Sequence, residues 1–136
     1  MPHMMVGGVD LLAVGAASLA AFAVAGFWYS PLLFFKAWQA ELGLTDVQAK
    51  AATRPVNLAA SLVLVLIGAF LFARLLAPAS AAQGALRGFA VGLAWVAASI
   101  GINYLFEGKS LKLFAINGGF HTVEFTLIGL ILGFWR

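Results

Sequence analysis

The chain has 136 residues, 63% of them hydrophobic and 10% charged, with no cysteine and a formal charge of +3. That balance is too apolar for a soluble domain of this length. It excludes disulfides, thiolate metal sites and cysteine nucleophiles, and its scattered basic residues suit lipid headgroups rather than nucleic acid.

A membrane-crossing helix needs about 20 mostly apolar residues, and four runs qualify. Leu11–Phe35, Pro55–Ala73 and Gly88–Phe106 carry no formal charge, and Leu113–Trp135 carries only Glu124. Strand-type alternation is absent, which argues against a β-barrel. The expectation is one all-α integral membrane domain over residues 1–136. Its four transmembrane helices form a bundle over about 6–29, 55–76, 84–106 and 113–135, with short interfacial helices over about 31–42 and 46–52.

Met1-Pro2-His3, ahead of a second methionine at Met4, fits an added leader. The first span does not resemble a cleavable signal peptide, because its uncharged run is too long and no Lys or Arg precedes it. Gly15, Ser18, Ala21, Ala25 and Tyr29 share a small face of this helix. Phe27, Trp28 and Tyr29 end it in an aromatic cluster suited to a membrane–water boundary. Ser30-Pro31 reads as a cap and a first-turn proline, starting an amphipathic helix that Gly43 stops. Thr45 and Gln48 have capping-box spacing. Pro55 opens the second span, and the short turn Pro78–Gln83 predicts antiparallel packing of the second and third helices.

Gly84, Gly88 and Gly92 recur at four-residue spacing on the third helix, and Ser99 and Asn103 continue that face. Such stripes signal close helix contact. On the last helix, residues about 100° apart sort into three faces. Gly118, Thr122, Thr126, Gly129 and Gly133 form a small one, so Gly129 and Gly133 join the packing candidates. Ile116, Phe120, Val123, Leu127, Leu130 and Phe134 form a bulky one, expected to meet lipid.

Asn117, His121 and Glu124 form the polar stripe. A carboxylate at the bilayer centre costs roughly 2.5–3.5 kcal/mol on insertion scales, so such residues face an interior or a water-filled cavity and mark function by default. His121 is the nearest partner for Glu124. Asn57, Asn103 and Asn117 lie at similar depth, at helix ends adjoining the 31–54 segment and the 107–112 turn. Spacing alone therefore predicts a polar funnel closing toward His121 and Glu124, with Asn103 and Asn117 as a hydrogen-bonding pair. The plain alternative is that the amides only hold the bundle, at about 0.6 kcal/mol each.

Lys36, Lys50, Arg54, Lys109 and Lys112 lie on this loop side, against Arg74, Arg87 and Arg136 on the side of the termini. The richer side is expected in the cytoplasm, which sets both termini on the non-cytoplasmic side of the cell (inner) membrane.

Trp28-Tyr-Ser-Pro-Leu-Leu-Phe-Phe-Lys-Ala-Trp38 and Leu105-Phe-Glu-Gly-Lys-Ser-Leu-Lys-Leu-Phe-Ala-Ile-Asn-Gly-Gly-Phe-His121, with the terminal Gly-Phe-Trp-Arg, carry a likeness. In these motifs the chain resembles the bacterial membrane family catalogued as domain of unknown function 1761. The resemblance implies a four-helix membrane protein and brings no activity. Tyrosine is expected in that family just before His121, where this chain has Phe120.

Three functions compete. One is an oligomeric binding, transport or channel-type protein that takes a proton, a cation or a polar solute at His121 and Glu124. Another is a structural or accessory subunit, with those residues satisfied by protein groups. The last is a membrane enzyme with a His/Glu site. One imidazole and one carboxylate are too few for a closed metal site, so neither metal nor cofactor is expected in a single chain. The expected partners are the bilayer and further copies of the chain.

Overall fold

A computed structural model describes residues 4–135 of the chain. The expectation for Met1–His3, and the place of Arg136, lie outside the described residues.

The chain opens with a two-stranded antiparallel hairpin, β1 (Met5–Val6) and β2 (Val9–Asp10). Gly7 and Gly8 form its turn at φ +58° and +79°, the left-handed values that a two-residue hairpin of this type requires. The first helix, α1 (Leu11–Trp28), therefore starts later than residue 6. Its cap is Asp10, whose Oδ1 accepts from the Leu12 N–H at 2.9 Å.

Ser30-Pro31 does not start a helix. The Ser30 hydroxyl donates back to the Phe27 carbonyl at 2.7 Å, so it closes α1 instead of capping a new helix. The chain turns through residues 30–34 before α2 (Phe35–Leu42), which Gly43 ends at φ +67°. Thr45 and Gln48 complete their capping box at the head of α3 (Asp46–Ala51).

Pro55 opens α4 (Pro55–Leu76), and the Arg87 guanidinium donates to the Leu76 carbonyl at its far end. The third span consists of α5 (Ala81–Ala90), a π-helical stretch over Val91–Ala97, and α6 (Ala98–Glu107). The last helix is α7 (Leu111–Phe134), capped by the Ser110 hydroxyl. Four helices, counting the third span as one, are long and apolar enough to cross a membrane. The architecture is all-α, and the hairpin is a small addition to it.

The glycine stripe sets the packing. α7 is the central helix, lying against the third span on one side and α1 on another. A Cβ added to Gly84 would fall on the Gly129 carbonyl, one on Gly88 on the Phe125 carbonyl, and one on Gly133 on the Ser80 carbonyl. Backbone thus meets backbone along the whole seam, as small-residue faces allow in a membrane.

That central position overturns two expectations. The glycine face of the third span is taken by α7, so α4 does not pack along its sequence neighbour and lies on α1 instead. The bulky stripe of α7 is divided: Val123, Leu130 and Phe134 face outward, but Ile116 and Phe120 are buried. A helix with neighbours on several sides has too little free surface to keep a full bulky stripe on lipid.

The closed half of the bundle is on the side of the termini. There Ala13, Ala17 and Ala21 of α1 join Ala69 and Phe72 of α4 and Ile128 and Leu132 of α7 in the core. Toward the loop side, α4 and the third span separate and leave a groove.

Candidate functional site

The site is built on one turn of α7. His121 and Glu124, three residues apart, share a face, and His121 Nδ1 lies 2.9 Å from Glu124 Oε1. The glutamate side chain is 7% exposed and the histidine 31%. Glu124 makes no other hydrogen bond to a described residue, so its second oxygen is left to the space in front of it.

That space is a groove of 790 Å³ between α4 and the third span. Its floor is α7, with Phe120, His121, Glu124 and Phe125, and α1, with Phe22 and Tyr29. Ser61, Leu64 and Gly68 of α4 form one wall, and Val96 stands on the other. Phe35 and Trp38 of α2 close its loop-side end, with Ala52 and Thr53 beside them. The segment between the first two long helices thus covers the groove. It is tied down by the Ser110 hydroxyl at the head of α7, which donates to the Glu41 carboxylate of α2.

Asn117 lies one turn toward the loop side of His121. Its Oδ1 accepts from the Tyr29 hydroxyl at 2.6 Å, and its Nδ2 donates to the Tyr104 hydroxyl at 2.7 Å. α1, α7 and α6 are joined by this chain. Tyr29 then packs edge-on against Phe120, 5.5 Å between ring centres. Trp28 is turned inward as well: its indole N–H donates to the Ile116 carbonyl at 3.0 Å. Of the aromatic cluster expected at the membrane boundary, Phe27 is the member that faces out.

Two of the expected site residues stand elsewhere. Asn103 is exposed and does not reach Asn117; the neighbouring Tyr104 does. The reason is the π-helical stretch, whose wider turn takes up one more residue per hydrogen-bonded ring than an α-turn. Contacts to α7 fall at Gly84, Gly88 and Gly92, then at Ala97 and Gly101. The step changes from four to five, which rotates Ser99 and Asn103 off the seam. Asn57 is also exposed, and its amide donates to the Ala52 carbonyl at 3.1 Å, closing the end of α3. The predicted funnel of three amides reduces to Asn117 between two tyrosines. Sequence reasoning misses Tyr29 and Tyr104 as site residues, although the small face of α1 already includes Tyr29.

An imidazole hydrogen-bonded to a carboxylate can hold or pass a proton, and the free oxygen can receive a positive charge or a hydrogen-bond donor. Among the described residues no third histidine, aspartate or glutamate joins the pair to form a metal-binding group.

An all-α chain with membrane-length helices and a polar pair facing a groove is thus in view. It belongs to the family described as Protein of unknown function (DUF1761), whose profile matches residues 12–133. No curated protein and no solved structure matches the chain.

Proposed function

We propose that the protein is a membrane binding and transport protein, working as a homo-oligomer, with His121 and Glu124 as its site. One observation carries this reading: the pair opens on a 790 Å³ groove instead of closing on packed side chains. A purely structural pair would be expected dry and enclosed. Space of this size, mostly apolar and with few convergent polar groups, is the usual form of a ligand site.

The titratable groups lining the groove are Tyr29, His121 and Glu124. A proton exchanged at the pair would couple solute movement to pH. The test is flux in sealed proteoliposomes under an imposed pH gradient. Wild-type protein should give pH-dependent flux that Glu124→Gln abolishes, and equal flux from both proteins overturns the reading. The distribution of basic residues supports a multi-pass place in the cell membrane with both termini outside. Labelling of single cysteines introduced at Lys109 and at Ala79, from each side of intact cells, checks that orientation. Cross-linking in native membranes checks the oligomer.

A further inference from the structure

The groove has a second property, its way in. α4 lies on α1, and the third span lies on α7. The two walls do not close on each other along the groove. A gap between two membrane-length helices faces outward from the bundle, and Leu58, Ser61 and Leu64 of its α4 wall are exposed. The opening is therefore lateral, so a molecule dissolved among acyl chains could reach Glu124 without crossing water.

Resting on the reading of His121 and Glu124 as a binding site, we propose that the ligand is a lipophilic monocation that enters from the bilayer. Three classes can be weighed. A small inorganic cation must exchange its water for several oxygen ligands, about six or more for calcium. Beside the free carboxylate oxygen the groove offers the Thr53 hydroxyl at its loop-side end and the Ser61 hydroxyl on the α4 wall, while the Tyr29 hydroxyl is committed to Asn117, so such an ion would be under-coordinated. A neutral or anionic lipid tail would fit the apolar walls but bring the free oxygen of Glu124 neither a donor nor a positive charge, and a buried polar atom left so is costly. A cation whose charge is spread inside an apolar body has little hydration to lose. It would neutralise the carboxylate and lay its body against Phe22, Phe35 and Phe125. Tyr29 and Trp38, which line the loop-side end, can add cation–π attraction. The volume of 790 Å³ lies within the range of about 300–1,000 Å³ that takes drug-sized molecules. Binding makes and breaks no covalent bond.

The test uses the full chain in detergent and two probes of the same shape and opposite charge, tetraphenylphosphonium and tetraphenylborate. Binding is read by calorimetry and by quenching of tryptophan fluorescence, since Trp38 lines the groove. Saturable binding of the phosphonium and not of the borate is expected. Glu124→Gln should weaken it by about tenfold or more, the scale of one lost charge contact. Ser61→Trp serves as a second variant, because Ser61 is exposed on the groove wall and its replacement adds bulk there without entering the core. It too should weaken binding, with helicity unchanged by circular dichroism. If the borate binds as well as the phosphonium and Ser61→Trp removes both, the cation proposal falls while the groove stands as a binding site. If neither probe saturates, or if phosphonium binding ignores both substitutions, the proposal falls, and the proton-driven flux assay judges the wider reading separately.

Discussion

The Asn117 amide donates to the Tyr104 hydroxyl at 2.7 Å, one residue beyond the asparagine that helical spacing would have supplied. This contact records the effect of the π-helical stretch on everything downstream of it. Across residues 91–97 the seam position steps from Gly92 to Ala97, and α6 continues with its face rotated.

The register can be tested by chemistry because the chain has no cysteine. A Cβ built on Gly118 lies 3.3 Å from the Ala97 Cβ, and disulfides join Cβ atoms about 3.5–4.5 Å apart. Ala97→Cys with Gly118→Cys should therefore oxidise to an intramolecular disulfide, read as protection from maleimide labelling. Ser99→Cys with Gly118→Cys should not, because Ser99 faces outward. Cross-linking of the second pair in place of the first would mean an uninterrupted α-helix.

Hydropathy marks the four long helices because each buries its backbone polarity within itself and must present apolar side chains to its surroundings. The glycine stripes of the third and fourth spans are legible for a similar reason: close approach requires absent side chains. The His121–Glu124 contact is legible because both residues lie on one helix. The π-helical stretch is not, since Val91-Gly-Leu-Ala-Trp-Val-Ala97 looks like any apolar helix, and the extra residue per turn is fixed by fit against α7. Helical spacing misplaces Asn103 for that reason alone. It also sends Ile116 and Phe120 to lipid, because a helical wheel cannot show how many neighbours a helix has. The hairpin does leave a signal, Val6-Gly-Gly-Val9, which is the two-residue pattern of such turns; the long apolar run beginning at Leu11 hides it.

The helix seam predicts a sharp contrast among glycines. At Gly88 an added Cβ would strike the Phe125 carbonyl and lie 2.9 Å from the Thr126 Cα. Backbone cannot rotate away as a side chain can. Gly88→Ala should cost about 1–3 kcal/mol, the usual scale of overpacking, seen as a lower unfolding midpoint in detergent. Gly15 has nothing within 4 Å of its added Cβ. Gly15→Ala should hold or raise the midpoint, since alanine is favoured over glycine in a helix by about 0.5–1 kcal/mol. Equal losses at both positions would contradict the seam.

The Tyr29–Asn117–Tyr104 chain predicts a modest and shared effect. Interhelical hydrogen bonds in membranes average about 0.6 kcal/mol, so Asn117→Leu should lose roughly 1 kcal/mol of stability. Tyr29→Phe and Tyr104→Phe each remove one hydroxyl and should lose less. Added to Asn117→Leu, neither should lower stability by its full single-variant amount, because the bond it removes is already gone. Strict additivity in a double-mutant cycle would show that the hydroxyls do not act through Asn117.

Ser18 gives the remaining prediction. It is fully buried in α1, and its Oγ has no hydrogen-bond partner among the described residues. An unsatisfied buried hydroxyl costs about 1–3 kcal/mol, and alanine is also the better helix former. Ser18→Ala removes one oxygen from a tightly packed place and leaves a gap smaller than a methyl group. The unfolding midpoint should therefore rise or stay level, while Ser18→Val, which adds volume among Ala17, Ala21 and their neighbours, should lower it. A clear drop in Ser18→Ala would mean that the hydroxyl is bonded in the folded protein, most simply to the carbonyl of Val14 one turn earlier.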